Sequence, residues 1–234
     1  IIEINMTDKS KKSNQYQKDA VIPNLFFGVE YNTGKLITGI GGDFKAIRPE
    51  KTWIDNSNIE RINTRLLNTY SGIAYLKFAH NRWSIISKTL LGQNLSDHSI
   101  IGGYIIDNEH NYLSLNTLAS LAQVQYGQIH KLGLFGGYSA ILGSTASTNE
   151  NIYNFYGFGA ELIPSSNQYQ YIRDMFRVML TYTYNPKNWR MGVELEYNGV
   201  NWGSLNKNPG NQFRISADDY TAAYRMHAVI MYLF

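Results

Sequence analysis

NWRMGVELEY, residues 188–197, carries Trp189, Met191, Val193, Leu195 and Tyr197 at every second position, with Arg190, Gly192, Glu194 and Glu196 between them. A β-strand sends successive side chains to opposite faces, so this stretch builds a sheet with one oily face and one charged face. The chain ends in the same way. Tyr220, Ala222, Tyr224, Met226, Ala228, Ile230, Tyr232 and Phe234 share one face, while Thr221, Arg225 and His227 take the other. In YIRDMFRVMLTYTY (171–184) the apolar set is Ile172, Phe176, Val178, Leu180, Tyr182 and Tyr184, against Arg173, Arg177, Thr181 and Thr183. Upstream the alternation is noisier. KLGLFGGYSAIL (131–142) alternates with Phe135 as an exception, and YSGIAYLKF and RWSIISKTLL leave Lys77 and Lys88 on the polar side, where Asp43 and Lys45 also fall.

The connections between these segments form a second pattern. Four are short: NTGK near 32–35, HNR near 80–82, GQIHK near 127–131 and NPKN at 185–188. The others are long and polar, at roughly 7–22, 49–65, 92–110, 144–170 and 201–218. Short and long connections alternate, and in an up-and-down meander this places every short turn at one end. With residues 1–6 as a strand, about ten strands are expected. The opening IIEIN reads as the middle of a strand, so a single domain over 1–234, truncated at its N-terminal side, is the expectation.

Composition narrows the class. Charged residues make up 17% and aromatics 14%, with 18 Tyr and 20 Gly against 5 Pro. A soluble sandwich or lipocalin-like barrel buries its apolar faces inside and needs more charge to cover itself, about 25% being usual. The net charge of +3 gives no reason to expect nucleic acid, and the absence of cysteine removes disulfides and thiolate chemistry. No run of 18 apolar residues is present, so no transmembrane helix is expected. The layout is that of an all-β, transmembrane up-and-down antiparallel β-barrel of the bacterial outer membrane, with short periplasmic turns, long outer loops and aromatic girdles. Tyr31, Phe78, Trp83, Tyr126, Tyr184, Trp189, Tyr232 and Phe234 stand beside short turns and are the expected interface aromatics.

Four stretches also carry a resemblance: LLGQNLSDHSIIGGY (90–104), KLGLFGGYSAILG (131–143), YIRDMFRVMLTYTYNPKNWRMGVELEYNGVNWG (171–203) and RMHAVIMYLF (225–234). They look like the C-terminal half of Bacteroidetes outer-membrane porins, similar in turn to the DcaP-like trimeric porin family. The resemblance spans roughly residues 35–234 and rests on wall features. It implies a larger barrel of about sixteen strands, a homotrimer in outer-membrane lipid, and small hydrophilic solutes, with a tilt toward anions. The closing strand with Phe234 resembles the signal that the barrel-assembly machinery recognises.

The candidate pore lining is Arg173, Arg177, Arg190, Glu194, Glu196, Arg225, His227, Lys77 and Lys88. Two arrangements are open: Arg–Glu ladders that satisfy one another, or unpaired arginines that attract anions. The apolar centre of GQNLSDHSIIGGYIIDNEH (92–110) either folds inward or extends as an extra hairpin. No cofactor is expected. Asp107, Glu109 and His110 match no metal-loop spacing. A barrel protease or lipase is the rival class, with His98, Asp97, Asp107 and His110 as its only rim candidates; a structural or adhesin barrel is the third. Gly136 and Ala140, small and outward, could mark a subunit interface.

Overall fold

A computed structural model describes residues 22–54, 57–107, 110–147, 152–163, 168–207 and 212–233. The expected strand over 1–6, Glu109 and the terminal Phe234 lie outside the described residues. In chain order the elements are β1 (Ile22–Asn32), β2 (Leu36–Ile47), β3 (Thr52–Ile54), β4 (Glu60–Ile62), β5 (Leu67–His80), β6 (Trp83–Gln93), a 3-10 turn (Leu95–His98), β7 (Gly102–Asp107) and β8 (Tyr112–Gly127). They continue with β9 (His130–Ser144), β10 (Ile152–Phe158), β11 (Ala160–Ile163), β12 (Gln168–Tyr184), β13 (Trp189–Gly203), β14 (Leu205–Lys207), β15 (Phe213–Ile215) and β16 (Asp219–Tyr232).

The fold is all-β. Nine long strands form one antiparallel meander in the order β1-β2-β5-β6-β8-β9-β12-β13-β16. The four short connections sit where the sequence places them, and the long connections carry the remaining strands: β3 pairs β4, β14 pairs β15, β7 bridges β8 and β10, and β11 pairs antiparallel with β12. The sheet is open among the described residues, with β1 and β16 as its edges. Every residue of β16 is exposed, on both faces. No described helix is long and apolar enough to cross a membrane, which says nothing about spans made of strands.

Register makes the two faces explicit. One cross-strand row reads Leu36, Phe78, Ile85, Val124, Leu134, Leu180, Leu195, Met226, apolar on eight consecutive strands. These side chains are not core: Leu134, Leu195 and Met226 are 57%, 51% and 71% exposed. The neighbouring row on the other face reads Ile37, Lys77, Ile86, Gln123, Phe135, Met179, Glu196, Arg225. Along β8, Leu121, Gln123 and Gln125 are half-buried, whereas Ala122, Val124 and Tyr126 are exposed. Side chains crowd one another on the inside of a curved sheet and splay on its outside, so the sheet curls toward the polar face. That concave face is mixed rather than charged throughout. Phe135, the exception to alternation, lies on it with Ile86, Leu121 and Met179.

The buried core sits at the long-loop end. Ile101, Ile105, Leu113, Leu115, Ile141, Phe213 and Ile215 form one cluster, with Ile172 and Met175 packed against it. Leu67, Tyr104 and Ile106 form a second. Ile141 and Met175 belong to the concave face by register, so β7 and β15 cover that face from the loop end. The segment 92–110 satisfies both expectations at once: β7 is an added hairpin strand against β8, and the preceding turn folds inward, His98 reaching Asp43 of the concave face at 3.5 Å. Ile172 corrects the alternation reading. A bulge between Ile172 and Asp174 moves its side chain off the oily face and into the core, because the bulge inserts one extra residue.

Candidate functional site

The concave face between the short turns and the loop-end core carries a charged cluster. β12, β13 and β16 align Met179, Glu196 and Arg225 in one row, Thr181, Glu194 and His227 in the next, and Arg177, Asn198 and Ala223 on the other side. The Glu196 side chain is only 3% exposed, with Arg177 Nε at 3.6 Å and Arg225 Nη1 at 3.8 Å. Asn198 Nδ2 donates to Glu196 Oε1 at 2.6 Å, and Arg177 Nε donates to Asn198 Oδ1 at 2.8 Å. One carboxylate is thus shared by two guanidiniums, whose side chains remain 46% and 59% exposed. The cluster keeps a net positive charge, but both arginines are paired, which is the ladder arrangement and not that of unpaired arginines.

The other predicted pore residues lie around this cluster. Glu194 and Arg190 make no ion pair among the described residues, and His227 is the cross-strand neighbour of Glu194. Arg173 corrects the expected pore lining: it stands at the bulge and pairs with its neighbour Asp174, whose other oxygen accepts from Asn201 Nδ2 at 2.7 Å, and Asp174 and Asn201 fall in the oily-face register with Ala140 and Tyr220 at the loop end. Lys77 and Lys88 are exposed on the concave face of β5 and β6, far along the same rows. Lys45 is buried. Tyr75, which alternation alone did not single out, donates to Glu30 Oε2 at 2.7 Å. Its ring lies over Gly39, where a Cβ would stand 2.5 Å from Tyr75 Oη; glycine is what allows this approach.

The seven described interface aromatics are all on the oily face at the short-turn end. Trp83 and Tyr126 rings are 4.8 Å apart, Trp189 and Tyr232 5.0 Å, and Tyr184 stacks on His130 at 4.7 Å. A second band, not named by sequence reading, crosses the same face: Tyr70 with Phe44, Phe176 with Tyr197, and Tyr197 with Tyr224. Phe78 and Tyr70, Tyr184 and Phe176, Trp189 and Tyr197, and Tyr232 and Tyr224 are each eight residues apart on one strand. At about 3.4 Å per residue the bands are ~27 Å apart along the strand, or ~20 Å in height for a tilt of about 40°. The signal was present as a spacing, but only register shows that the eight-residue pairs line up.

The side chains of three of the rim candidates are engaged by different partners. His110 Nδ1 contacts Glu50 Oε2 at 3.0 Å and stacks on Trp53, Asp107 accepts from the backbone and side chain of Asn111, and His98 faces Asp43. Each of these three has its own partner, and no group of three metal-ligating side chains occurs among the described residues. Gly136 faces open space on the oily face, while Ala140 is buried. Comparison with known proteins adds no relative: no family model, no curated protein and no solved structure matches the chain.

Proposed function

We propose that this chain is wall of an outer-membrane β-barrel channel for passive diffusion of small hydrophilic solutes, with a preference for anions. The observation that carries the proposal is the apolar row from Leu36 to Met226, continuous across eight strands, exposed from Val124 to Met226 and bounded by two aromatic bands. Hydrocarbon satisfies such a face and water does not. The ~20 Å between the bands approaches the roughly 25 Å apolar belt of outer-membrane barrels. On the concave face, Arg177 and Arg225 sharing Glu196 supply a positive field where a solute would pass.

A sheet in hydrocarbon cannot leave an edge unpaired. The open sides of β1 and β16 therefore need pairing partners, either each other in a smaller barrel or the further strands of a larger, porin-like barrel of about sixteen. Trimerisation, engagement of the barrel-assembly machinery by the final strand, and the porin family itself belong to the same proposal. Purified protein in a planar bilayer tests it. Discrete conductance steps with chloride or acetate passing faster than potassium are expected, and a silent membrane at saturating protein refutes the channel.

A further inference from the structure

The four short turns carry Lys35, Arg82, Lys131 and Lys187, with Arg190 three residues beyond Lys187, and segments 32–37, 79–84, 126–132 and 184–191 contain no Asp or Glu. The turns are also tied to their neighbours by backbone hydrogen bonds. Ala79 N donates to Lys35 O at 2.8 Å, Gly127 N to Arg82 O at 2.9 Å, Asn185 N to Ile129 O at 2.8 Å and Leu233 N to Asn188 O at 2.7 Å. Gly127 takes φ +126, a region open to glycine, and a Cβ there would stand 1.8 Å from His130 O. The rim is thus a continuous hydrogen-bonded edge bearing cations alone.

Between two of these turns the rim holds an open cavity of about 310 Å³ whose lining includes His80, Arg82, Ser84, Gln125, Gly127 and Lys131. Ser84, Gln125 and Lys131 belong to the concave face by register. No carboxylate stands within ion-pair distance of Arg82 or Lys131 among the described residues. The nearest acids on that face are engaged or distant: Glu30 accepts from Tyr75, and Glu194 shares a row with Gln125 but stands three strands away.

We infer that this cavity binds a small oxyanion, a phosphate or carboxylate, at the short-turn mouth. Two cations meet two oxygens, and the Ser84 hydroxyl and Gln125 amide complete the set of donors. Ser84, Gln125, Gly127 and Lys131, which would hold it, belong to the concave face by register, so the ligand is a water-borne solute and not a lipid headgroup. This rests on the channel proposal for its purpose, capture at one end of the path, but the binding does not need a membrane. Titration calorimetry of inorganic phosphate into the detergent-solubilised protein therefore separates the two. Binding is expected in the parent chain, weakened about tenfold or more by Arg82→Gln and by Lys131→Gln, each of which removes a charge-assisted bond, and unchanged by Lys35→Gln on another turn. Absence of binding at tens of millimolar phosphate, or an affinity in Arg82→Gln and Lys131→Gln equal to that of the parent chain, overturns the site whatever the bilayer experiment gives. Binding without conductance retains the site and removes the channel.

Discussion

Glu196 sets the strength of the positive charge on this part of the wall. Its carboxylate sits between Arg177 and Arg225 with Asn198 as a third donor, so removing its charge while keeping its shape leaves two uncompensated guanidiniums. Glu196→Gln is predicted to raise the anion-to-cation permeability ratio about twofold or more, read from reversal potentials in a salt gradient; Arg177→Gln moves it the other way. At the loop end, Asp218 accepts from Ser204 N at 2.9 Å and Ser204 Oγ at 2.8 Å. The hydroxyls of Ser216 and Ser204 hold its carboxyl below the ordinary 3.8. A carboxyl lowered by folding stabilises the folded loop above its unfolded pKa, and that contribution is lost as the pH falls through the folded value. Limited proteolysis of the β13–β16 connection should therefore accelerate in acid below about pH 4, and Asp218→Asn should flatten that dependence. These contacts lay beyond alternation: nothing in the spacing of Ser204, Ser216 and Asp218 announces that they meet.

Among the elements, the long strands were legible because a one-residue slip would turn every oily side chain to the wrong face. The short turns were legible for the same reason that they are short. What alternation missed lies where the ladder is interrupted. The bulge at Ile172 redirected one side chain, and β14–β15 folded over the concave face from a stretch read as loop, because two three-residue strands leave no period to detect. Two predictions belong here. Leu195→Arg, at the middle of the apolar row, should cost about 2–4 kcal/mol of barrel stability in lipid, measured by denaturant unfolding in vesicles, whereas the same change on a soluble sheet's solvent face would be near neutral. Phe213→Asp, which removes a buried ring from the loop-end core, should release the hairpin and raise single-channel conductance, with the step size in planar bilayers as the readout; an unchanged step would mean that β14–β15 does not narrow the path.

For the whole molecule, the arrangement makes sense in one solvent geometry. Apolar side chains stand outward across eight strands, and nothing described covers them. Charged and mixed side chains crowd the concave face, covered at one end by a small buried core and rimmed at the other by cations. The sequence made the meander, its two faces and the short-turn aromatics readable; the second aromatic band, the shared carboxylate and the cationic rim required the register of neighbouring strands. Because the chain has no cysteine, single cysteines report each face without background. The most direct measurement is the accessibility of Leu195→Cys and Glu194→Cys, adjacent residues on opposite faces, each labelled with a fluorophore in reconstituted vesicles. Quenching of the label at 195 by brominated lipid, and of the label at 194 by aqueous iodide alone, is the predicted result. Protection at 195 from both quenchers, in a protein that stays monomeric without detergent, would contradict the account.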